Sequence, residues 1–177
     1  MFEIKQWNPE TYRRQTRRSS LYIALGFVLL AMLLSTLAVT LFGEPGGDNF
    51  RLNLAGVIAA LLLGVVLMRV KFWAQPWMAA AVYGWQLKRS LMRITNVMHH
   101  VTAGVLVDDP TAMKLLRFYH LGLTQMHQLD ANSSSHSQMV HEIDQHKARM
   151  EALAIDTEQS RLDPAWLETV KKIPATR

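Results

Sequence analysis

The stretch LYIALGFVLLAMLLSTLAVTLF, Leu21 to Phe42, runs for 22 residues without a charged side chain. At about 1.5 Å of rise per residue a helix of that length covers about 33 Å, enough for the hydrocarbon core of a bilayer. Ser35, Thr36 and Thr40 are its only aliphatic hydroxyls, and a helix returns such hydrogen bonds to its own carbonyls. A helix on the surface of a soluble core keeps one polar face, and this stretch has none. A second uncharged run, Leu52 to Met68, is 17 residues long and is closed by Arg69 and Lys71. Phe72, Trp73 and Trp77 follow, the aromatic side chains that favour headgroup level. Two membrane spans, 21–42 and 52–68, are the expectation, joined by a short external loop over 43–51.

The flanks give the orientation. Residues 1–20 carry Lys5, Arg13, Arg14, Arg17 and Arg18, the loop carries only Arg51, and the segment after the second span carries Arg69, Lys71, Lys88, Arg89 and Arg93. Basic residues near span ends stay on the cytoplasmic side, so both termini are expected there. The 20 residues ahead of the first span, the length of its apolar run and the lack of an A-x-A site argue for an uncleaved anchor rather than a signal peptide. Arg13, Arg14, Arg17, Arg18, Arg69 and Lys71 are expected to meet anionic lipid headgroups. From Thr102 onward eight basic residues face ten acidic ones, so the net charge of +5 and a pI of 9.7 reflect topology and not a nucleic-acid surface.

The loop Gly43-Glu44-Pro45-Gly46-Gly47-Asp48-Asn49 is turn chemistry. It leaves no room for an external domain. Small residues mark where the spans pack: Gly56, Ala60 and Gly64 recur every four residues, opposite Ala31 and Ser35 of the first span. That row serves either the two spans of one chain or two protomers.

Beyond the membrane the pattern is helical throughout. A helix is expected from Pro76 to Val107, with Leu87, Leu91, Ile94, Met98, Val101 and Val105 forming a heptad seam. Asp108-Asp109-Pro110 breaks it, with Asp109 as N-cap of a second helix over 110–129 whose facing stripe is Leu116, Tyr119, Leu123 and Met126. Residues 73–130 thus read as a cytoplasmic helical hairpin. A polar loop over 130–137 leads to a third helix over 138–155, and Asp163-Pro164 opens a short fourth. The fold class is an all-α membrane protein: a two-helix transmembrane hairpin followed by a cytoplasmic bundle of three to four amphipathic helices.

Chemistry is sparse. The absence of cysteine excludes disulfides and thiolate sites. Ser133-Ser134-Ser135 lies in turn-like sequence without a nucleophile elbow, no glycine loop cradles phosphate, and neither span holds a carboxylate or a basic residue. His141 and His146 are five apart, so their rings diverge by about 140° around a helix. His120 and His127 are the metal candidates, with Asp130 and His99 as partners, although seven residues put them about 10 Å apart along the axis. No cofactor is implied.

Phe2-Glu3-Ile4-Lys5, Tyr12-Arg13-Arg14, Asp48-Asn49-Phe50-Arg51-Leu52-Asn53, Gly56-Val57, Trp85-Gln86-Leu87-Lys88 and Gln128-Leu129-Asp130 together resemble a bacterial family of small two-span inner-membrane proteins known only as a domain of unknown function. The resemblance covers most of the chain to about Asp130. It implies the architecture and a bacterial inner-membrane location, and brings no activity with it. The expected role is a non-enzymatic scaffold, assembly factor or accessory subunit that binds itself or another membrane protein. The alternatives are a metal-binding membrane enzyme or sensor and an oligomeric pore subunit lined by the Gly56–Gly64 face.

Overall fold

The computed structural model describes residues 1–131 and 136–174, the side chains of 136–139 excepted. The elements are β1 (Phe2–Glu3), α1 (Pro9–Phe42), α2 (Phe50–Leu67), a π-helical turn (Met68–Phe72), a 3₁₀ turn (Pro76–Met78), α3 (Ala79–Thr95), α4 (Met98–Leu106), α5 (Pro110–Asp130), α6 (His136–Ala152), β2 (Arg161–Leu162) and α7 (Pro164–Val170). They fall into two compact units, one of Arg14–Val82 and one of Met1–Arg13 with Tyr83–Arg177.

The first unit is a helical hairpin. Both helices are long and apolar enough to cross a membrane, and none of the most apolar 18-residue stretch of α1 is buried. Leu29 is 68 % exposed, Leu62 64 % and Val70 72 %. The contact between the helices is made through small residues. A Cβ on Gly56 would fall 2.5 Å from the Cα of Ser35, and Ala60 is fully buried. The Ser35 hydroxyl donates to Oδ1 of Asn53 at 2.6 Å, so the polar atom at this end of α2 is answered within the hairpin. In the connector, Nδ2 of Asn49 donates to the carbonyls of Glu44 and Gly47, and Gly46 takes a left-handed φ of 78°. At the opposite end of the hairpin the Trp77 ring stands 5.9 Å from Tyr22 and 5.7 Å from Phe72, and the Ser19 hydroxyl meets the Trp77 carbonyl at 2.6 Å.

The second unit is a helical bundle carrying a short antiparallel ribbon, Phe2 opposite Leu162 and Glu3 opposite Arg161. The ribbon corrects the expectation that no strand is present; two residues per strand are too few to produce an alternating pattern. Residues 1–13, read from sequence as part of a basic segment, join this bundle. Ile4 N–H donates to Ser160 O, Lys5 N–H donates to the Tyr83 hydroxyl at 3.1 Å, and the Phe2 ring packs on Phe118 and Tyr83.

The helix expected from Pro76 to Val107 is two helices. Thr95 turns its hydroxyl back to the Leu91 carbonyl at 3.1 Å, and Val97 leaves helical geometry at φ −117°, ψ 14°. Thr and Asn compete with the helical backbone in this way. The seam survives the break: Leu87, Leu91, Ile94 and Val101 are buried. The α4–α5 corner is a Schellman turn, in which Asp109 N–H donates to Gly104 O, Asp108 N–H donates to Val105 O and Asp108 takes φ 57°. Asp109 then caps α5, its carboxylate accepting from Ala112 N–H at 2.8 Å, and Asp163 caps α7 likewise through Ala165 N–H.

The buried face of α5 is Ala112, Met113, Leu115, Phe118 and Gly122, whereas Leu116, Tyr119, Leu123 and Met126 are half-buried. Gly122 sets that rotation. A Cβ there would lie 2.8 Å from Leu91 Cδ2 and 3.3 Å from Leu87 Cδ1, so the bare backbone makes the seat for both leucines. On α6 Met150 is fully buried and Ile143 half-buried, while Val140 and Leu153 are exposed. The Ser133-Ser134-Ser135 run and most of its polar loop lie outside the described residues.

Candidate functional site

Within the bundle, α5 and α6 bring together two histidines that are 26 positions apart in sequence. The rings of His120 and His146 stand edge to face, with centroids 5.3 Å apart and planes at 85°. His120 is 8 % exposed and His146 7 %. His146 lies on the face of α6 that carries buried Met150 one turn on, and its Nε2 stands 3.0 Å from the Met113 carbonyl. A carbonyl only accepts, so Nε2 carries the proton and Nδ1 the lone pair. Nδ1 of His120 is buried without a hydrogen-bond partner among the described residues.

Burial pushes the His120 imidazole down to about 4, helped by His146 and the Arg117 guanidinium. Burial also lowers His146; the bond to Met113 opposes that, and Arg117 and Arg149 reinforce it. Both rings are therefore neutral at pH 7. Arg117 is itself buried, its Nε donating to Thr157 O at 3.0 Å.

A groove of about 550 Å³ opens beside the pair. Met98, Val105 and Leu116 make an apolar wall, and Tyr119, Glu142, Gln145 and Arg149 a polar one. Arg149 is tied to Asp108 of the α4–α5 corner by an ion pair of 2.7 Å, which ties the end of α6 to that corner. Chemically the site offers two uncharged imidazoles, one carboxylate and a route in from solvent. Among the described residues, no three His, Cys, Asp or Glu side chains stand in a metal-holding cluster as they lie.

The other sequence candidates are scattered. His127 is half-buried on α5, Asp130 pairs with Lys88 at 3.1 Å, and the His99 and His100 rings lie 4.1 Å apart, tilted by 39°. The partner that the bundle gives His120 is thus His146, across two helices. The five-residue spacing from His141 carries no metal-ligand signature, whereas the place of His146 one turn before Met150 on an amphipathic helix marks the inward face. Of the basic residues, Arg14, Arg17, Arg18, Arg69 and Lys71 are exposed and Arg69 lies 5.2 Å over Trp73, whereas Arg13 is half-buried and donates to Leu129 O at 3.4 Å. In the hairpin, Gly56 and Ala60 are buried, Ser35 and Ala31 half-buried, and Gly64 meets nothing within 4 Å.

The model of a family described as a protein of unknown function, DUF3087, matches residues 2–167. The chain belongs to this DUF3087 family. The match runs past Asp130 through α6 to Leu167, so the bundle with His120 and His146 is part of the family's domain. No curated protein and no solved structure matches the chain. DUF3087 membership brings no activity with it, and the function is read from the two units themselves.

Proposed function

We propose that this chain is a bacterial inner-membrane protein, anchored by the α1–α2 hairpin with both termini in the cytoplasm. Its helical bundle serves as a non-enzymatic docking module for another membrane protein or a second copy. The observation that carries the anchoring is exposure. Some twenty large apolar side chains of α1, α2 and the π turn lie bare on every side of the hairpin, and burying each in lipid rather than water is worth about 1.5–3 kcal/mol. The Tyr22–Phe72–Trp77 cluster beside exposed Arg69 and Lys71 has the composition of an interfacial belt. Headgroup contact then rests on Arg14, Arg17, Arg18, Arg69 and Lys71. Arg13 belongs to the bundle.

The docking role draws on the bundle's own surface. Met92 is 65 % exposed and Leu106 and Val107 are each 72 %, apolar side chains that a partner would cover. For self-association, the bare backbone at Gly64 is the remaining close-approach surface of α2, since Gly56 is occupied by Ser35. Photo-crosslinking from positions 92 and 106 in living cells, followed by mass spectrometry, tests the module. A discrete crosslinked partner or dimer is expected at both positions. The absence of any discrete adduct contradicts the docking role.

A further inference from the structure

We propose that His120 and His146 are the nitrogen ligands of a zinc-class metal site, with Glu142 supplying a carboxylate from the groove wall and water completing the shell. Two imidazoles bound to one tetrahedral ion at about 2.0–2.1 Å hold their centroids about 5 Å apart. The pair stands at 5.3 Å with its planes nearly perpendicular. The His146 tautomer is the one a ligand needs, because Nε2–H is spent on the Met113 carbonyl and Nδ1 keeps its lone pair. A backbone carbonyl on the far nitrogen is the usual device that orients a metal-binding histidine. His120 contributes the second feature, a buried Nδ1 without a hydrogen-bond partner among the described residues.

Glu142 lies four residues before His146 on α6 and lines the same groove, so the two project from one helix face. Its side chain is exposed, and among the described residues it does not stand in a three-ligand cluster with the pair. Charge is the opposing factor. Arg117 is close, but Glu158, Asp144 and Glu151 act on it, and Arg149 is paired with Asp108. Neutral imidazoles are the metal-binding form, and burial secures that form at pH 7. Two nitrogens and a carboxylate suit zinc.

The experiment uses the full chain in detergent, purified without a histidine tag and stripped with chelator, titrated with zinc and with cobalt as a visible probe. One equivalent per chain is expected, with the intense cobalt absorption of a tetrahedral site. His120→Gln and His146→Gln should each weaken binding at least about 100-fold, and Glu142→Gln about tenfold. The paired change His99→Ala, His100→Ala, which removes two adjacent histidines of α4 that do not line the groove, should leave binding intact. Circular dichroism checks that each variant folds. Should the histidine variants fail to fold, the exposed Glu142→Gln variant and zinc protection of His146 from diethylpyrocarbonate in the unaltered chain carry the test. Binding that survives both histidine changes, or is lost with His99 and His100, overturns the assignment. So does an unchanged affinity in Glu142→Gln together with no protection of His146.

Discussion

Ser35 stands so close to Gly56 that a Cβ on residue 56 would fall 2.5 Å from the Ser35 Cα and 2.6 Å from its nitrogen. The two helices of the hairpin meet backbone to backbone at this point. Gly64 is two turns along α2 and meets nothing within 4 Å.

This contrast separates two roles of one small-residue row. Gly56→Val should destabilise the hairpin by about 1–3 kcal/mol, because neither backbone has room to yield. Gly64→Val should leave the hairpin intact. Thermal aggregation of the two variants in one detergent checks the difference. Equal loss at both positions would mean that the hairpin contact is elsewhere.

Leu91 is 5 % exposed, and its Cδ2 lies over Gly122. Leu91→Ala should lower bundle stability by about 2–5 kcal/mol, and Leu91→Asp should cost more because it also buries a carboxylate. Gly122→Leu should be comparably damaging, since it fills the seat from the other side. Helicity and melting by circular dichroism read all three changes.

Much of this arrangement was legible in sequence. Uncharged runs and Asp-Pro caps are local signals, and α2, α5 and α7 begin within two residues of the expected positions. What was not legible depends on partners distant in sequence. The Thr95-Asn96 pair weakens the helix locally without marking a break in a continuous heptad seam, and the rotation of α5 is decided by two leucines of α3. The stripe Leu116, Tyr119, Leu123 and Met126 gathers the large side chains, whereas the helix turns its glycine to the core. The His120–His146 pair likewise has no local signature. It exists because α6 lies across α5.

Stability should depend on pH through that pair. The His120 ring titrates at about 4 in the folded chain and near 6.5 when unfolded. Between those values the unfolded chain binds more protons, so stability is full above about 6.5 and falls as pH drops toward 4. The shift corresponds to at most about 3 kcal/mol, and His146, lowered in the same direction, adds to it. Melting temperature should fall between pH 7.5 and 5, and His120→Phe should flatten the slope. An equal slope in that variant would place the titrating groups elsewhere.

Asp109 accepts from Ala112 N–H at 2.8 Å as the N-cap of α5. Asp109→Ala should remove about 1 kcal/mol, and Asp109→Asn much less. Chemical denaturation of the three proteins side by side gives the ranking.

The central claim is a hairpin anchor with both termini in the cytoplasm, and the cysteine-free chain permits a direct measurement. Single cysteines at Gly47 in the connector and at exposed Glu168 on α7 are labelled in intact spheroplasts with a membrane-impermeant maleimide. The expected result is labelling at position 47 before lysis and at position 168 only after it. Labelling of position 168 in intact spheroplasts, or of neither position until lysis, would contradict the account.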